Sequence, residues 1–106
     1  MPKYLIEAEY TAEGLRGVIK DKASGRKAAV EKLIADAGGK LEAVYFGFGV
    51  HDVFVLCDCP NNVNAASLAL AVSSSGLVRT KTIPLLTVEE MDQAIAKHVT
   101  YRGPGT

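Results

Sequence analysis

Leu41-Glu42-Ala43-Val44-Tyr45-Phe46-Gly47-Phe48, then Gly49-Val50-His51-Asp52, then Val53-Phe54-Val55-Leu56-Cys57-Asp58-Cys59 is the stretch on which the fold turns. It reads as two strands joined by a tight connection, each apolar on both faces over its middle residues. A sheet built on such strands needs cover on both sides. A chain of 106 residues supplies helices for one side only. In the first strand the even positions Val44, Phe46 and Phe48 share a face, and Leu41, Ala43 and Tyr45 share the other. In the second, Val53, Val55 and Cys57 lie opposite Phe54, Leu56 and Asp58.

Upstream, Tyr4, Ile6, Ala8 and Tyr10 alternate with Lys3, Leu5, Glu7 and Glu9, giving a first strand with one apolar and one charged face. Thr11 then caps a short helical turn carrying Leu15, Val18 and Ile19. A polar break at Asp21-Lys22-Ala23-Ser24-Gly25 follows, with Ser24 as a second cap. Val30, Leu33, Ile34 and Ala37 fall at helical spacing, and Gly38-Gly39 ends that helix. Downstream, Pro60-Asn61-Asn62 breaks the third strand and opens an Ala- and Ser-rich helix that Gly76 terminates. Leu77 to Leu86 is the fourth strand, and Pro84 within it favours an edge position. Thr87-Val88-Glu89-Glu90 has capping-box spacing, so a last helix starts there, with Met91, Ala94, Ile95 and His98 on one face.

The order strand, helix, strand, strand, helix, strand, helix is that of an α+β, ferredoxin-like βαββαβ sandwich with an added C-terminal helix. Residues 1–99 form one domain, and Thr100–Thr106 reads as a disordered end. Right-handed crossovers put both main helices on one face of a four-stranded antiparallel sheet. Val44, Phe46 and Phe48, plus one side of the third strand, are then expected on the other face, where exposed large apolar groups mark an interface. Self-association through the sheet follows as the expectation.

Twelve basic and twelve acidic residues cancel, and half of the basic ones cluster between Arg16 and Lys32 with no aromatic residues among them. That is a solvated helix surface, and no nucleic-acid partner is expected. No apolar run reaches the roughly 20 residues of a membrane helix. The start runs directly into a strand, without a secretory pattern. Cys57 and Cys59 are two apart in one strand, poorly placed to bond to each other. A reduced, cytoplasmic protein is expected. Two thiols fall short of the about four ligands of a structural zinc, so no metal is expected. No phosphate loop, dinucleotide fingerprint or nucleophile elbow is present, and no cofactor is expected.

Met1-Pro2-Lys3-Tyr4, Glu9-Tyr10-Thr11, Gly38-Gly39-Lys40-Leu41-Glu42, Gly49-Val50-His51-Asp52 and Leu85-Leu86-Thr87-Val88-Glu89-Glu90-Met91 together resemble the GYD domain family. The resemblance spans almost the whole chain. It implies a small ferredoxin-like protein of the dimeric α/β-barrel type, and it speaks to fold and self-association more than to activity. His51 stands where that family usually has a tyrosine before the aspartate. A similar G-x-x-D hairpin occurs in the amino-acid-sensing domains of leucine-responsive-type regulators, where ligands sit between subunits.

Two constellations are candidates for ligand binding. In His51-Asp52, the carboxylate suits a role in fixing the hairpin through turn amides. The imidazole, which can change charge near neutral pH, suits a pocket rim. The second set is Glu7 and Glu9 with Arg79 and Lys81, which antiparallel neighbours one and four bring to the same outer face. They form either cross-strand ion pairs or the polar end of a cavity between subunits. The leading expectation is a self-associating domain that binds a small molecule there. The alternatives are a metal-free, cofactor-independent oxygenase or isomerase using His51 and Glu9, and a purely structural assembly subunit.

Overall fold

A computed structural model describes residues 1–106. The elements run β1 (Lys3–Tyr10), α1 (Ala12–Asp36), β2 (Lys40–Phe46), β3 (Val53–Asp58), α2 (Asn62–Ser73), β4 (Val78–Leu85) and α3 (Val88–Ile95). The strands form one antiparallel sheet in the order β2-β3-β1-β4. This is the ferredoxin-like arrangement, with β4, and Pro84 in it, at an edge. No helix is long and apolar enough to cross a membrane.

The alternation in β1 places Tyr4 and Ala8 in the core beside Val53, Val55 and Cys57 of β3. Ile34 of α1 and Leu68 of α2 join the same cluster, so both helices cover one face of the sheet. The Tyr4 hydroxyl donates to Asn62 Oδ1 at 2.6 Å, which settles the one polar atom of a large buried ring at the start of α2. Thr11 and Asn61 cap α1 and α2, and Asn64 Nδ2 donates to the Ala37 carbonyl, tying the start of α2 to the end of α1. Gly38, with φ of 80°, takes the left-handed turn that stops α1. The capping box at Thr87 and Glu90 forms as its spacing predicts.

Three expectations are corrected. The pairing of β2 with β3 shifts register between Leu41 and Ala43, a bulge that reverses face parity along β2. Val44, opposite Val55, therefore turns towards the helices, and Phe46 does the same. Ala43 and Tyr45, opposite Leu56 and Phe54, take the outer face instead. Phe48 lies beyond the strand in the connecting loop, fully exposed. In α1 the break falls at Lys22 rather than at a Ser24 cap. Lys22 has φ 67° and ψ 164°, a region costing about 1–3 kcal/mol for a residue with a side chain. Arg26 reaches back across the break to Asp21 at 3.7 Å. Finally, α3 stops at Ile95, so His98, with φ 51°, lies past the helix and not on its face.

Cys57 and Cys59 are free thiols, both wholly buried. Burial first, and the neighbouring Cys59 second, push the Cys57 thiol up to about 12. Between about pH 8.5, where an unfolded thiol titrates, and pH 12, the unfolded chain releases a proton that the folded chain keeps. Stability therefore falls as pH rises through this window, by up to about 1.4 kcal/mol per unit for the one group. Denaturant titrations at pH 8 and pH 10.5 are expected to show a smaller loss in Cys57→Ala than in the wild type. Equal losses contradict the assignment.

Candidate functional site

The face of the sheet turned away from the helices is uncovered, and register fixes what it presents. One cross-strand row is apolar from edge to edge: Ala43, Leu56, Leu5 and Ile83. The next row is Tyr45, Phe54, Glu7 and Lys81, and Glu9 and Arg79 are paired one step further on. At the opposite end Lys3 pairs with Glu42 and, at 3.1 Å, with Asp58. Its hydrogen bonds to Glu42 first, and to Asp58, hold its ammonium above the usual lysine range.

The loop from Gly47 to Asp52 folds back over this face. Asp52 holds it there: its carboxylate accepts the Tyr10 N–H at 2.9 Å, its own N–H donates to the Ala8 carbonyl, and its carbonyl accepts from Gly47. All three bonds are internal to the fold, so the carboxylate serves to position the loop. The next residue back is thereby set above β1. His51 Nε2 lies 3.0 Å from Glu7 Oε2, and Nδ1 lies 3.1 Å from Glu9 Oε1. The ring is bracketed by two carboxylates on alternate residues of one strand, a spacing that puts both on one face. Nδ1 is shielded from water and has no hydrogen-bond partner, so the contact with Glu9 is one of proximity. Phe54 meets the imidazole edge-on at 5.9 Å between ring centres.

Of the residues singled out in the sequence, His51, Glu7 and Glu9 form one cluster, closer than the separate constellations implied. Arg79 and Lys81 lie directly opposite Glu9 and Glu7 in register, but the carboxylates pair with His51 and not with these bases. Two basic groups are thus left beside the cluster, exposed, with no ion pair of their own. Phe54 and Tyr45 were not singled out. The signal was available, since pairing β1 with β3 antiparallel places Phe54 opposite Glu7. No group of three or more His, Cys, Asp and Glu side chains is arranged to hold a metal ion. Two cavities lie on the helix side, and neither includes Glu7, Glu9 or His51.

These features define a class: a small ferredoxin-like α+β domain whose bare sheet face carries a histidine between two glutamates. The chain belongs to the GYD domain family, whose family model matches residues 4–95. No curated protein and no solved structure matches it.

Proposed function

We propose that the chain self-associates through its uncovered sheet face, in the manner of dimeric α/β barrels, and that the partner closes a small-molecule site over His51. The observation that carries this reading is the imidazole held within 3.0–3.1 Å of Glu7 and Glu9 on the sheet face turned away from α1 and α2. The surface area supports it. The chain exposes 7559 Å², whereas a compact monomer of its 11.2 kDa exposes about 5,700 Å². The excess of about 1,900 Å² is spread over the whole chain, α3 and residues 96–102 included, and leaves room for a standard interface of roughly 800 Å² per partner. The apolar row Ala43–Leu56–Leu5–Ile83 supplies the dry contact. The end of the face with Glu7, Glu9, His51, Arg79 and Lys81 supplies polar groups of both signs, suited to a zwitterionic or otherwise polar ligand. Two free thiols fit a reducing compartment such as the cytoplasm.

A second reading is favoured by the same cluster. A histidine in contact with two carboxylates is a device for moving a proton, as a cofactor-independent oxygenase or isomerase requires. His51→Gln separates the two. It keeps a polar side chain of similar reach and removes the ring that changes charge. For a binding site, ligand retained on the purified protein falls by about 10- to 100-fold in affinity, as befits one charge-assisted contact. For the enzyme, binding survives and turnover drops by about 10²–10⁴-fold. A variant indistinguishable from the wild type in both respects rejects either use of the site.

A further inference from the structure

The helix side of the sheet is not closed either. α1 and α2 leave between them a groove lined by Val30 and Leu33 from α1, by Leu68 and Val72 from α2, and by Phe46 and Val53 beneath. Fourteen of its 18 lining residues are hydrophobic, so what fills it must be apolar; the only charged ones are Arg26 and Lys27, both basic. The same chain carries an element with the opposite character and no partner. None of the residues of α3 is buried. Val88, Met91 and Ile95 form a stripe at i, i+3 and i+7 and are 76%, 49% and 65% exposed. Around that stripe α3 bears Glu89, Glu90 and Asp92 and no basic residue. The capping box fixes its start two residues past β4, and the molecule is drawn out to 55 Å along its longest axis. The radius of gyration, 16.7 Å, compares with about 13 Å for a compact chain of this length.

We propose that α3 of one chain docks in the α1–α2 groove of a second copy, as an acidic amphipathic helix in an apolar groove with a basic rim. Anchors at i, i+3 and i+7 are the pattern by which a helix enters such a groove. Charge fits, because the acids of α3 would face Lys27, which has no ion pair, and Arg26, whose one ion pair is the 3.7 Å contact with Asp21. The area also fits: an excess of about 1,900 Å² per chain accommodates two contacts of roughly 800 Å² each, one through the sheet and one through the arm. The arm contact is separate from the sheet contact and stands or falls without it.

Mixed cross-linking tests it. Chains carrying only Met91→Cys are mixed with chains carrying only Val72→Cys, or with chains carrying only Glu31→Cys, which lies on α1 but outside the groove. The native thiols are wholly buried and do not compete. Under mild oxidation a heterodisulfide is expected with Val72→Cys and not with Glu31→Cys. Cross-linking with neither, or equally with both, overturns the docking. Ile95→Glu in the otherwise native chain is expected to lower the assembly's mass by at least one chain in native mass spectrometry; an unchanged mass likewise overturns it. Repeating the cross-link in a Leu56→Glu background separates the two contacts, since the arm disulfide is expected to persist when the sheet contact is lost.

Discussion

Leu56→Glu is expected to leave a folded chain that no longer associates through its sheet. Leu56 stands at the centre of the apolar row, opposite Leu5 on one side and Ala43 on the other. Its side chain faces away from the core that Tyr4, Ile34 and Leu68 build, so the substitution takes nothing from that core. In a lone chain the new carboxylate stays in water and costs little. In a face-to-face assembly it is buried against apolar groups, at about 3 kcal/mol or more for each unpaired charge. A symmetric contact carries two such charges, and affinity drops by well over about a hundredfold. Sedimentation velocity at matched concentration checks this, with circular dichroism as the control for folding. Unchanged association places the contact elsewhere.

Gly14→Ala and Gly17→Ala are expected to act in opposite directions, although they lie one turn apart on α1. A Cβ on Gly14 would sit 2.0 Å from the Leu77 carbonyl oxygen and 2.9 Å from its carbon. That carbonyl has no freedom to retreat, because it accepts the Thr11 N–H at 2.9 Å and the contact ties the start of α1 to the start of β4. Relief requires moving backbone on both sides, at about 2–4 kcal/mol, the upper end of overpacking costs. At roughly 4–8 °C per kcal/mol the melting temperature falls by about 8–32 °C. Gly17 has nothing within 4 Å of the same atom. Alanine there gains about 0.5–1 kcal/mol of helix propensity and raises the melting temperature by a few degrees. Thermal melts at one protein concentration check both, and equal shifts contradict the close approach of α1 to Leu77.

Much of the fold was legible because its patterns are local. The alternation of Tyr4, Ile6, Ala8 and Tyr10, the Gly38-Gly39 stop, the Asn61 break and the Thr87 capping box each report a backbone preference carried by a few neighbouring residues. The face of Val44 and Phe46 was not legible. One bulged residue near Glu42 reverses the parity of everything after it, and nothing in Leu41-Glu42-Ala43 marks the bulge. As a result the outer apolar surface is made of Leu5, Leu56 and Ile83 rather than Phe46. The outer face carries an apolar row all the same, and its Leu56 belongs to the side of the third strand expected there. The break in α1 was expected in the right segment. Its position at Lys22 rests on a strained backbone angle that a lysine does not advertise.

The site was legible in its members and not in its assembly. Strand order puts Glu7 opposite Lys81 and Glu9 opposite Arg79, and from that alone two ion pairs are the natural reading. The competing partner comes from the hairpin loop, whose return over β1 depends on the Asp52 carboxylate capturing the Tyr10 N–H. A contact between residues 42 positions apart leaves no periodic trace in the sequence.

Native mass spectrometry of the full chain at micromolar concentration tests the uncovered sheet face most directly. An assembly of two or more chains, with a small polar molecule released when the protein is unfolded in the gas phase, is the expected result. A bare 11.2 kDa species with nothing bound is the contradiction, since it leaves the Leu5 and Leu56 row without a partner surface.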